Sequence, residues 1–109
     1  MAVSNAPGAT GFAVIDVASS GDNTLVAAVS GKKIRVHSLF LISAGTVTVR
    51  FESGASGTAL TGQMSLVANG GFSLPYNPEG WFETAAGSLL NAELSSAVSV
   101  DGALSYSLV

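Results

Sequence analysis

The chain contains no cysteine. A disulfide framework, a thiolate zinc site, an iron–sulfur cluster and a cysteine nucleophile are therefore excluded. Histidine occurs once, at position 37, so one chain cannot build a metal site from several imidazoles. Charge is scarce as well. Charged residues make up 10% of the 109 positions, against about 25% in an ordinary soluble domain. Lys and Arg total 4, Asp and Glu total 7, and the formal net charge is -3. That balance lacks the basic footprint of a nucleic-acid partner. Apolar runs such as Leu39 to Ile42 fall far short of the roughly 18 residues that cross a bilayer. The opening MAVSNAPGATGF has neither the basic start nor the apolar run of an export signal, so synthesis in a cytoplasm is expected.

What is present is short-range alternation in a chain that is 48% hydrophobic, too apolar for global disorder. The length suits one ordinary domain. In TVTVRFES, Val47, Val49 and Phe51 face one way and Thr48, Arg50 and Glu52 the other, the signature of a half-buried strand. VSVDGALSYSLV repeats the pattern through Val98, Val100, Leu104, Tyr106 and Leu108. Its Asp101-Gly102 pair is a hairpin signal, because a tight two-residue turn needs positive φ at both positions. Other turn chemistry recurs at Ser19–Asp22, Ser43–Gly45, Ser53–Gly57, Asn69–Gly71 and Pro75–Gly80. Strands are predicted near 12–18, 23–30, 33–43, 46–53, 58–61, 64–68, 81–84, 88–95, 97–100 and 103–109. Ala86, Leu89, Leu90 and Leu94 also fit a helical face, but Gly87 within that segment favours a strand. The expected fold is all-β: an antiparallel, jelly-roll-like sandwich of about eight main strands over residues 12–109. Residues 1–11 are small, polar and without period, and are expected to form an arm that docks on a neighbour or partner.

GKKIRVHSLFLIS is the most informative segment. Strict alternation puts Ile34, Val36, Ser38, Phe40 and Ile42 on one face. Lys33, Arg35, His37, Leu39 and Leu41 then share the other, polar at one end and apolar at the far end. Apolar residues on both faces need cover on both, from a loop or a second subunit. A buried Leu contributes roughly 1.5–3 kcal/mol, so exposure is costly. With so few charges, the remaining surface is Ser, Thr, Ala, Gly and Asn, which is cheap to desolvate and suits packing against protein.

Catalytic and ligand motifs are weak. His37 has no nucleophile or carboxylate near it in sequence and falls beside Arg35 on the polar face, as an exposed or interface histidine. The carboxylates Asp16, Asp22, Glu52, Glu79, Glu83, Glu93 and Asp101 are scattered and match no calcium loop. Asp16 shares the alternation face of Phe12 and Val14 and reads as structural. No glycine-rich segment ends in the Gly-Lys-Ser/Thr of a phosphate loop. SLPYNPEGWFET gathers Tyr76, Trp81 and Phe82 with two prolines, Pro75 and Pro78. These aromatics either stack on sugars or plug the sandwich end or a subunit interface.

The runs NTLVAAVSGKKIRVHSLFLISAGTVTVRFESG and ALTGQMSLVANGGFSLPYNPEGWFETAAGSLLNAELSSAVSVDGALSYSLV resemble small structural proteins of tailed bacteriophages. The likeness lies in a lysine-bearing turn, a long apolar strand, a GWF-like loop and a final V-DG-L-Y segment, over about residues 23–109. It implies a jelly-roll cement or decoration protein of the virion, a homotrimer bound to major capsid protein or another virion protein at the capsid surface. It brings no catalytic residue, cofactor, metal or small-molecule substrate, and no nucleic-acid or membrane partner. Subunit contacts are expected from Leu39, Leu41, Tyr76, Trp81 and Phe82, and shell contacts from an arm that includes Val3, Ser4, Asn5, Pro7 and Phe12. Three weak arms on one trimer would bind far more tightly than one. The competing expectation is a carbohydrate-binding sandwich module on a head or tail fibre.

Overall fold

The computed structural model describes residues 11–109. Ten strands follow one another: β1 (Gly11–Val17), β2 (Gly21–Val26), β3 (Ile34–Ser43), β4 (Val47–Ser53), β5 (Thr58–Ala59), β6 (Met64–Leu66), β7 (Gly71–Leu74), β8 (Phe82–Glu83), β9 (Leu90–Leu94) and β10 (Val100–Leu108). Two of the ten, β5 and β8, have only two residues. The first sheet runs β1-β10-β3-β7 with β8 also on β3, and the second runs β2-β9-β4-β5 with β6 also on β4. Every pairing is antiparallel. The chain ends are nested: β1 lies against β10, β2 against β9, and the next strands take the far sides of those partners. Early strands alternate between sheets. This is the double Greek-key wrap of a jelly roll.

The inner faces hold one core. Ile15, Leu41 and Leu104 come from the first sheet, and Val49, Phe51, Leu90 and Leu94 from the second. Phe51 stacks on Phe82 across the layer with ring centroids 5.3 Å apart. The 86–94 segment is strand at β9, and its Leu90, Ala92 and Leu94 point inward as a period of two requires.

Three expectations are corrected. Asp101-Gly102 is not a turn but the interior of β10, which runs unbroken to Leu108. Gly102 is there because β3 comes too close for a side chain: a Cβ would lie 1.9 Å from the Phe40 carbonyl oxygen. Asn69–Gly71 is a turn, but it launches β7, a strand the turn residues concealed.

The third correction changes what the surface offers. Ser105 pairs with Ser38, whereas Tyr106 pairs with Val36, so His37 is an extra residue in β3. Such a bulge shifts the alternation by one position. Ile34 and Val36 face the core before it, and Leu39, Leu41 and Ser43 face the core after it. Leu39 and Leu41 are each 2% exposed within the single chain. They are core residues, not subunit contacts. Phe40 and Ile42 turn outward instead.

Candidate functional site

Three features on the outside of the sandwich have the residues for function. The first is the aromatic loop between β7 and β8. His37 bulges from β3 and is buried within the chain, whereas an exposed or interface position was expected. Its Nδ1 donates to the Asn77 carbonyl at 2.8 Å, and its Nε2 accepts the Ser107 hydroxyl at 2.8 Å. The Tyr76 ring stacks over the imidazole, centroid to centroid 5.3 Å. A hydroxyl on an oriented imidazole is the geometry of a nucleophile and its base. Here Ser107 and His37 are both buried, and His37 ties the loop to the bulge through Asn77 and Tyr76. Trp81 is fixed by its indole N–H on the Pro75 carbonyl at 2.8 Å. Tyr76 and Trp81 keep much of their rings in solvent, whereas Phe82 turns inward onto Phe51. Glu83 accepts from Arg35 at 2.9 Å, and that guanidinium holds its carboxyl below the usual range.

The second feature is a polar network on the outer face of the second sheet. Asp22, Glu52 and Glu93 bring carboxylate oxygens within 4.8 Å of one another. Asn91 donates to Asp22 and to Glu52, each at 2.8 Å. Arg50 donates to Glu52 at 2.9 Å through Nε and to Glu93 at 2.7 Å. Ser56 caps Asp22 through its backbone N–H at 3.0 Å and its hydroxyl at 2.8 Å, which holds that carboxyl below its usual value. The β4–β5 loop therefore crosses the sheet to the β2 edge and buries Glu52 and Asn91 beneath it. Arg50 supplies the cation from within, and Glu52 in turn raises the affinity of the guanidinium for its proton. The network is a clasp that sets three carboxylates, Asp22, Glu52 and Glu93, around one guanidinium, Arg50.

The third feature is the outer face of the first sheet. In cross-strand rows, Phe12 lies beside Ser105, Val14 beside Ala103, and Asp16 beside Asp101. β3 extends these rows with Ser38, Phe40 and Ile42. Phe12, Val14, Phe40 and Ile42 are 82%, 74%, 58% and 57% exposed. Large apolar side chains gathered on one sheet face mark an interaction surface. Asp16 hydrogen-bonds Asp101 and raises its carboxyl pKa, as expected for two acids sharing one row. The loop bearing Tyr76 bounds the other end of the face, above His37 and Ser107.

Of the residues singled out in the sequence, Phe12 lies on this face and Tyr76 and Trp81 lie at its border. Val3, Ser4, Asn5 and Pro7 lie outside the described residues. Val14, Phe40 and Ile42 were not among the expected contacts. The signal for Phe40 and Ile42 is the adjacent polar pair His37-Ser38, which breaks an otherwise alternating strand and announces the change of face. No family model matches the chain, nor does any curated protein.

Proposed function

We propose that the chain is a non-enzymatic structural protein of a phage virion, a cement or decoration subunit that acts as a homo-oligomer pressed against a protein shell. The observation that carries this reading is the outward apolar face of the first sheet, built around Phe12, Val14, Phe40 and Ile42. A charge-poor sandwich with such a face has surface that protein contacts can cover at little desolvation cost. The resemblance to phage structural proteins supplies the setting and the trimer. The oriented Ser107–His37 pair is buried, which is consistent with a role in binding and not in turnover. Incubating the purified protein with capsid shells that lack it tests the reading. Saturable co-sedimentation and shells that resist heating are expected, and shells that take up no protein reject it.

A second reading rests on the exposed Tyr76 ring, held flat on a buried histidine, with Trp81 pinned nearby. Rigid exposed aromatics suit stacking on a sugar. A glycan array decides between them: binding that Tyr76→Ala abolishes, in a protein that ignores the shell, selects the carbohydrate module.

A further inference from the structure

The outward face of the first sheet alternates in height from strand to strand. β1 stands high with Phe12 and Val14, and β10 lies low with Ser105 and Ala103. β3 stands high again with Phe40 and Ile42, and β7 lies low with Ser73 and Gly71. Hollows of about 110 Å³ over β10 and about 360 Å³ beside β7 mark the two low strands. A high–low–high–low profile over four evenly spaced strands fits itself under one operation. A two-fold axis parallel to the strands, between β10 and β3, lays β1 over the partner's β7 and β3 over the partner's β10. Each ridge then meets a trough. A two-fold axis across the strands would set ridge on ridge.

We infer that this face is where two copies of the chain pack, sheet on sheet, about the axis parallel to the strands. The inference rests on the reading of the protein as a self-associating assembly subunit and adds to it a two-fold contact between copies, separate from the contacts of a trimer. The size fits. The four large side chains alone expose roughly 500 Å² per copy, so a pair buries about 1,000 Å², the lower bound of a specific interface. Dimerisation is therefore weak and depends on concentration, as suits a contact completed on a crowded shell.

Charge sets the limit on the contact. Among the described residues, the acids on this face are Asp16 and Asp101, side by side at one end, and Glu83, paired with Arg35 at the other; β3 presents Ile42 to the first two and β7 presents Gly71. Arg35 and His37 lie toward the opposite end of β3. The proposed axis keeps equivalent ends together, so two acid pairs meet in the dimer and oppose it.

Sedimentation equilibrium of the full chain at neutral pH, over about three decades of concentration into the millimolar range, tests this. The weight-average mass should rise toward twice the 10.8 kDa chain mass. Phe40→Ser and Val14→Thr, both outward and exposed, should each raise the dissociation constant about tenfold or more. Asp101→Asn should lower it severalfold. Thermal melts verify that each variant is folded. A mass that stays at one chain overturns the inference, as does association that ignores Phe40→Ser and Val14→Thr or weakens with Asp101→Asn. A trimer insensitive to these variants would leave the assembly reading standing and assign the face to another occupant, residues 1–10 or the shell protein. A Phe40-dependent dimer that binds no shell would do the reverse.

Discussion

Glu52 shows how a polar side chain on an outward strand position becomes part of the interior. It is fully buried, with Arg50 on one oxygen and Asn91 on the other. Glu52→Ala takes one acceptor from the Arg50 guanidinium and one from the Asn91 amide, which keep Glu93 and Asp22, and losing a hydrogen bond to a charged group costs about 1.5–3 kcal/mol. Urea denaturation should show a loss of this order. Asp101 behaves oppositely. Its pKa is raised in the folded chain by Asp16, so its contribution to stability is full below its unfolded value of about 3.8 and is lost as pH rises through the raised folded value. At neutral pH two facing carboxylates repel. Asp101→Asn should therefore raise the melting temperature at pH 7 and lose that advantage in acid. Glu83 has a lowered pKa, caused first by Arg35. Its contribution is present above its unfolded value and lost as pH falls through the lowered one. Melting curves of Glu83→Gln against pH should converge with the parent at low pH.

β3 is the element on which the surface turns. Its bulge at His37 exchanges the two faces, sending Leu39 and Leu41 inward and Phe40 and Ile42 outward. Leu41→Ala should cost about 2–5 kcal/mol, the range for a buried leucine cavity, and leave self-association of the remaining folded protein unchanged. Had Leu41 been a subunit contact, the assembly would dissociate before the chain unfolds. Deleting His37 removes the extra residue and restores strict alternation. Ile34, Val36, Leu39 and Leu41 then fall at every second position and still face the core, so the variant should keep cooperative unfolding by circular dichroism while losing the His37 bonds to Asn77 and Ser107. β10 has its own requirement at Gly102, where β3 leaves no room for a Cβ.

At the scale of the whole molecule, the nested wrap joins residues far apart in sequence. Gly11 pairs with Tyr106, and Asn23 with Ala92. Closing such loops precedes the contacts that stabilise them, so refolding should fall in the slow range of all-β domains, milliseconds to seconds or longer. Stopped-flow tryptophan fluorescence of Trp81, the one tryptophan, checks this directly. The assembled molecule also separates its two sheets by role. The second sheet closes its outer face with the Asp22–Asn91–Glu52–Arg50 clasp under the β4–β5 loop. The first leaves Phe12, Val14, Phe40 and Ile42 uncovered. The proposed role as an assembly subunit would use that division: one face finished within the chain, one left for another molecule.

By itself the order of residues determined the fold class, the strands from β1 to β6 and at β8 and β9, and the inward set Val47, Val49 and Phe51. These depend on local alternation and turn chemistry, which neighbours in sequence carry. It also showed that the chain holds more apolar strand surface than one core consumes. Tertiary structure alone decided which residues form that surplus. A bulge is a mismatch between two strands, β3 and β10, and has no meaning until they pair. The same holds for the partners of His37, which come from Asn77 and Ser107. Gly102 likewise reads as a turn residue along the chain and as a strand residue only once Phe40 stands beside it. Periodicity is a property of one segment, whereas register is a property of two.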